Sequence, residues 1–410
     1  MMKRKVLKNI FKIALIFLLL GNFANTYAAT TVGAAIKPLE IAAWIPYWRK
    51  EAGVAEAIAH IVSLKEISPF GYTVKKDGTL FDAMKINENP WPALLSAARA
   101  NKVKIIPTVM WGDGDTIDAI LRNSKTRTAH IKAIVDMVNT NNFDGVDIDY
   151  EGKKAETQKY FSIFLRDLYT ALGKKFLSCT IEARTPLDSR FSVIPKDIAY
   201  ANDYKSINAY CDRVRIMAYD QGTVDLKLNN ANPGPYVPVS DPKWVEKVVK
   251  LAEQTISKKK IFISVATYGY EYSVAPVKGG GFVYDRESSF NPNYALSMAS
   301  QFKLTPWRNS AGEMTLLYMP TSSNSVISNP SQKTTPSLDT SEFTQIDVTN
   351  SLGSTTLQVS ANTPLMHILW WSDASAIKDK ITLAKTLGVR GISIFKLDGG
   401  ADPAIWNVLK

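Results

Sequence analysis

Four acids fall within eight residues, Asp144, Asp147, Asp149 and Glu151, in the run Phe143 to Glu151. Val146, Ile148 and Tyr150 alternate with the last three, which is the alternation of a buried strand. On a strand Asp147, Asp149 and Glu151 share a face, spaced ~6.6 Å apart. Like charges that close in a low dielectric push one pKa upward, so such a ladder persists only where protons are shared or the acids do chemistry. Glu151, at the end of the run, is placed as a proton donor near neutral pH, and Asp149, when charged, is expected to raise its pKa. A calcium loop would place its glycine after the acids and use flexible spacers, whereas here Gly145 precedes them and the spacers are apolar. His60, His130 and His367 are scattered without ligand spacing, so no metal site is expected. Gly279 to Gly281 has no following Lys-Ser/Thr and reads as a turn; no cofactor is implied.

A second set of residues is aromatic. Trp44, Trp48, Tyr72, Trp111, Tyr268 and Trp371 fall near the ends of apolar runs, where ring faces pack well against the C–H faces of sugars. Core packing is the alternative for each one singly, but as a group at one end of a barrel they favour a sugar cleft. Trp91, Trp244, Trp307 and Trp406 are assigned to packing.

The elements that must position these residues alternate along the chain. Apolar runs at 41–48, 64–72, 103–111, 143–151, 175–183, 212–220, 260–270 and 389–397 are separated by helical patterns, one opened by Asp241 as cap with Pro242 at the first helical position. Eight alternations predict an α/β fold, a (β/α)8 TIM barrel, with the acid ladder on strand four and Glu151 at the C-terminal end, where barrel active sites lie. The interval 271–371 is too long for one crossover and reads as a small inserted α+β subdomain after strand seven, carrying a polar Ser/Thr/Asn-rich loop at 321–340. Cys179 and Cys211, the only cysteines, lie on neighbouring predicted strands; a bridge and two buried thiols are equally open.

The whole chain has 410 residues, 49 Lys+Arg, 38 Asp+Glu and 46% hydrophobic residues, a globular balance that excludes disorder and fibre. Lys3, Arg4, Lys5, Lys8 and Lys12 precede the apolar run Ile13 to Leu20, followed by Thr26 and Ala28, so residues 1–28 read as a signal peptide cut after Ala28. The apolar run is shorter than the ~20 residues a spanning helix needs, and no stable membrane insertion is expected. Domain organisation is then 1–28 leader and 29–410 barrel with its insertion, in a secreted or periplasmic protein. Its net charge falls from +11 to +6 with the leader removed. That mild excess gives no reason to expect a nucleic-acid partner, and the chain is read as a monomer.

The spacing DxxDxDxE at Asp144, Asp147, Asp149 and Glu151 resembles the signature of family 18 glycoside hydrolases, the chitinase family. The run Arg215 to Gln221 is similar to that family's strand-six motif, with Met217, Tyr219 and Asp220 in matching positions. The runs Ile45 to Trp48, Ile67 to Gly78 and Ser372 to Phe395 look most like the branch containing spore-cortex-lytic and germination enzymes. The resemblance implies a glycoside hydrolase that cleaves β-1,4 bonds beside N-acetylglucosamine in chitin or peptidoglycan. By that likeness Glu151 is the acid/base, Asp149 orients the substrate's acetamido group, Asp147 shares a proton with Asp149, and Tyr219 hydrogen-bonds the acetamido carbonyl. The substrate's own acetamide is then the nucleophile, which explains acids without a protein nucleophile. Asp144, Met217, Asp220, Trp48, Trp111, Tyr268, Trp371 and Phe395 are expected to bind substrate, Phe395 standing where the family usually has Trp. A catalytically weak lectin on the same fold is the alternative; such lectins typically lack the acid, and Glu151 is present.

Overall fold

The computed structural model describes residues 38–277, 280–319, 343–350, 353–360 and 366–409. The expected signal peptide and the polar loop at 321–340 lie outside the described residues. The principal strands in chain order are β1 (Glu40–Pro46), β2 (Glu66–Val74), β3 (Thr108–Trp111), β4 (Gly145–Tyr150), β5 (Phe176–Glu182), β6 (Arg213–Met217), β7 (Ile261–Ala266), β8 (Gly269–Pro276), β9 (Phe282–Phe290), β10 (Trp307–Arg308), β11 (Met314–Tyr318), β12 (Met366–Trp371) and β13 (Gly391–Phe395). Strands β1 to β7 follow one another in parallel, and β13 pairs with both β7 and β1 to close an eight-stranded barrel.

These strands form because their outward residues, such as Ile45, Val109, Ile148, Ile181 and Val214, bury apolar side chains against a ring of helices. Helix α1 (Ser124–Thr140) starts on Asn123, whose side chain accepts from two backbone N–H groups. Helix α2 (Gln158–Leu172) buries a stripe of Phe161, Phe164, Leu165, Leu168 and Leu172. Helix α3 (Pro242–Ala252) is capped by Asp241 with Pro242 in its first turn.

The inward residues are unusually polar. On β6, Arg215 reaches Glu66 Oε2 at 3.1 Å, Ser68 Oγ at 2.7 Å and Asp147 Oδ2 at 3.3 Å, while Arg213 pairs with the other oxygen of Glu66. All four charged side chains are buried. Two cations against two anions leave no net charge inside the barrel. Removing any one would leave the buried network with an unbalanced charge, at a cost of about 3–5 kcal/mol.

Cys179 on β5 and Cys211 ahead of β6 form a disulfide with a Cα–Cα distance of 5.9 Å, which decides the open question. Cys179 points outward, between the inward Ser178 and Thr180, so the bridge straps the barrel wall away from the ladder. Closing a loop of 32 residues should stabilise the fold by about 3–4 kcal/mol. Cys179→Ala/Cys211→Ala is expected to lose that much in denaturant unfolding and to keep its turnover.

Between β7 and the helix α5 (Ala374–Leu387) the chain builds a five-stranded antiparallel sheet, in the order β9-β8-β12-β11-β10. Strand β8 begins three residues after β7 ends, so the sheet rises directly from the barrel rim. Helix α4 (Pro292–Gln301) covers one face through Ala295 and Ala299 against Leu316, Leu369 and Trp371. Trp371, expected in the cleft, is therefore buried in this layer, its ring 6.2 Å from that of Phe290, because alternation along β12 turns it to the helix side. The other face, with Tyr270, Tyr272, Ile368 and Trp370, packs toward the loop after β6 at Tyr236 and Val237. Residues 343–350 and 353–360 pair as an antiparallel hairpin.

Candidate active site

The ladder occupies three levels of the barrel. Asp147 is lowest and fully buried, registered with Thr108 on β3 and Ser178 on β5. It accepts hydrogen bonds from Trp44 Nε1 (3.0 Å), Thr108 Oγ1 (2.9 Å), Thr180 Oγ1 (2.9 Å) and Arg215 Nη1 (3.3 Å). Four donors around one carboxyl suit an acceptor-only carboxylate. Among the described residues no hydrogen bond joins Asp147 to Asp149.

Asp149, one level up, registers with Met110 and Thr180. It is buried, and its Oδ1 has no hydrogen-bond partner among the described residues. Burial first, then the charges of Glu151 and Asp147, raise its pKa well above the carboxylate range. A buried polar atom gains by taking a partner, so this oxygen is free to hydrogen-bond a water or a ligand group.

Glu151 follows β4 and continues its pairing, its N–H donating to the Trp111 carbonyl at 2.8 Å. It faces solvent on one side and the barrel mouth on the other. Partial burial is the largest cause raising its pKa; the Glu182 carboxylate comes next, opposed by Lys153 and helped by Asp220. An acid so placed holds its proton to higher pH than a free glutamate does.

Tyr219 and Asp220 follow β6. The Tyr219 ring stacks on Phe395 at 5.8 Å with planes 16° apart and meets Tyr268 edge-on at 6.2 Å. Burial pushes its hydroxyl pKa well up, so it remains an O–H donor. Asp220, at φ 58°, accepts from Tyr268 Oη at 2.7 Å; burial raises its pKa while Tyr268 and Tyr270 oppose the rise. Met217 is half-buried beside this aromatic group. Together Trp48, Asp220, Tyr268, Tyr270, Phe395 and Lys396 line a cavity of about 470 Å³, a volume suited to a small-molecule or sugar-sized ligand. Trp48, 48% exposed, offers its ring to that space.

The structure thus brings Glu151, Asp149, Asp147, Tyr219, Asp220, Met217, Tyr268, Phe395 and Trp48 to one end of the barrel. It separates the rest. Asp144 precedes β4 and accepts from Ile105 N at 2.8 Å at the opposite end, about 23 Å along the strand from Glu151 at ~3.3 Å per residue. Trp111 falls on the outward face of β3, buried against Tyr150 and His130 with its indole N–H on Thr116. His130, its pKa pushed down to about 4 by burial, serves that packing and meets Tyr150 Oη. Tyr72 is also buried, and Trp44 lies beneath Phe395, edge-on at 5.8 Å, holding Asp147 instead of a ligand.

Several residues of the site went unmarked in the sequence. Thr108, Thr180 and Arg215 hold Asp147, and Glu182 and Lys153 stand beside Glu151. A signal was present in the run Phe176 to Glu182, where Ser178, Thr180 and Glu182 are polar at alternate positions of an otherwise apolar strand.

The sequence profile of glycosyl hydrolases family 18 matches residues 45–400. A glycosylase of Bacillus subtilis (strain 168), YvbX, is 20% identical over 301 residues, 73% of this chain and 70% of that protein. The spore cortex-lytic enzyme SleL of Bacillus cereus superposes with a TM-score of 0.64 at 20% identity, over 91% of this chain and 74% of SleL. A class V chitinase from Pseudomonas fluorescens Pf-5 gives 0.65 at 19% identity, over 90% and 98% of the two chains.

Proposed function

The chain belongs to the glycosyl hydrolases of family 18, and from that premise we propose that it cleaves β-1,4 bonds on the reducing side of N-acetylglucosamine in chitin or peptidoglycan. The observation that carries this reading is the unpartnered Asp149 Oδ1, buried beneath Glu151 and beside the stacked pair Tyr219 and Phe395. An acetamido N–H satisfies that oxygen, and the sugar ring rests on the aromatic floor. Tyr219, a donor held neutral by burial, directs the acetamido carbonyl toward the anomeric carbon.

Glu151 gives its proton to the glycosidic oxygen as the acetamido oxygen attacks the anomeric carbon and the glycosidic bond breaks, and the N–H of the resulting oxazolinium ring is held by its hydrogen bond to Asp149 Oδ1. Glu151, now a carboxylate, takes a proton from the water that opens the ring, so configuration is retained. The reading of residues 1–28 as a leader agrees with action outside the cytoplasm, where both polymers are met.

The test is digestion of chitin and of purified peptidoglycan side by side, with mass analysis of the products. New reducing ends that are N-acetylglucosamine, from either polymer, are expected. Release of no oligosaccharide from both, or of new ends at another sugar, would overturn the proposal. The two arms also identify the preferred polymer.

A further inference from the structure

Two charged side chains beside Glu151 belong to no part of the acid ladder. Glu182 ends β5, and alternation along that strand turns Ser178, Thr180 and Glu182 inward, as the bond from Thr180 to Asp147 requires. It registers with Met217 on β6, two residues before Tyr219. Its carboxylate accepts from Asn202 Nδ2 at 2.6 Å, which anchors one oxygen to the loop after β5. Its side chain is 39% exposed, so it stands at the mouth.

Lys153, two residues past Glu151, folds back under it. Its stem is buried, with the ammonium 5.0 Å over the Phe161 ring, donating to the Tyr150 carbonyl and lying 3.4 Å from Glu182 Oε1. The carbonyl it holds belongs to the residue immediately before Glu151, so the lysine cannot leave for solvent without disturbing the acid's own backbone. The pair is loosely made, since Glu182 gives its shorter bond to Asn202. One fixed negative charge and one fixed positive charge therefore flank the same acid.

We infer that Glu182 and Lys153 are positioning residues that act through Glu151, Glu182 holding the proton on the acid and Lys153 limiting how tightly it is held. This rests on the reading of Glu151 as the acid. The direction of the Glu151 pKa agrees, with Glu182 its leading charged influence and Lys153 its counterweight. Among the described residues the other charged or titratable groups at this end of the barrel are Asp149 above the buried Asp147 on β4, Tyr219 and Asp220 after β6, Tyr268, Tyr270 and Arg286 from the inserted sheet, Arg49 after β1, and Lys396 and Asp398 after β13. Asp147 is matched by Arg215, Asp220 is tied to Tyr268, and Lys396 is paired with Asp398.

The test is the pH dependence of kcat/KM on a soluble N-acetylglucosamine oligomer for the wild type, Glu182→Gln, Lys153→Met and the double variant. The alkaline limb reports the free enzyme's acid. Loss of the neighbouring negative charge lets Glu151 ionise earlier, so Glu182→Gln should move the limb down by about half a pH unit. Lys153→Met should move it up by a similar amount, and the double variant should return close to wild type. The Glu182→Gln shift should shrink in about 1 M salt, because that carboxylate stands at the solvated mouth, and the Lys153→Met shift should shrink less, because the ammonium is buried.

Limbs that stay in place, or that move the same way in both single variants, would overturn the inference. Should Lys153→Met fail to fold, the direction of the Glu182→Gln limb decides alone, and Lys153→Arg should keep the wild-type limb. Glu151→Gln separates the two levels of argument. If it stays active, the acid reading falls; if it is inactive and the limbs have not moved, only the roles of Glu182 and Lys153 fall.

Discussion

Glu151→Gln is expected to lower turnover at least ~10²-fold while sugar binding survives. The amide keeps the shape of the side chain and the backbone bond to Trp111, but it has no proton to give, and general acid catalysis of this kind contributes ~10²–10⁴-fold. Binding should persist because the parts assigned to holding the sugar, Trp48, Phe395, Tyr219 and Asp149, are untouched. Turnover measured with a soluble oligomer, alongside calorimetric titration of the same oligomer, checks both halves of the expectation. Near-full activity in this variant would place the acid elsewhere.

The second large effect is expected on the substrate side. If the acetamido oxygen is the nucleophile, a fully deacetylated oligomer has no route to the oxazolinium intermediate. Asp147 cannot replace it, being fully buried and surrounded by Trp44, Thr108, Thr180 and Arg215. Asp149, whose pKa is raised well above the carboxylate range by burial, is a poor nucleophile in its neutral form. Hydrolysis of glucosamine oligomers should therefore be undetectable, and partly acetylated oligomers should be cut only where the sugar on the nonreducing side of the bond is acetylated. The anomeric configuration should be retained in the first turnovers by NMR. A stable thiazoline analogue of the intermediate should inhibit, since it carries the charge distribution the site is arranged to hold. Efficient cleavage beside glucosamine, or inversion, would exclude this mechanism.

The barrel was legible because each strand is short, apolar and bounded by helical periodicity, and the run Phe143 to Glu151 carried its chemistry in its spacing. The position of Asp144 was not legible, because a sequence motif records neighbours in the chain and not which end of a strand each occupies. Trp111 and Trp371 were misplaced for a related reason. Both sit at strand ends, but the side a residue faces depends on strand register, and β12 belongs to the inserted sheet, not to the barrel. Residues outside the ladder also tune Glu151. Asp149 and Glu151 repel each other within the ladder, and burial followed by the Glu182 carboxylate on the adjacent strand raises the pKa of Glu151. Only the fold brings residues 151, 153 and 182 together.

The interior charges have a consequence for how this sequence can change over time. Glu66, Arg213, Arg215 and Asp147 come from β2, β6 and β4, and each is buried against a partner contributed by another strand. A single replacement of one of the four by a neutral residue leaves an unbalanced buried charge, so paired or compensated exchanges are the favoured routes of change. The four positions should drift as one inherited block, and a chimera that grafts the acid-bearing strand into a sister barrel would need Arg215 to travel with it.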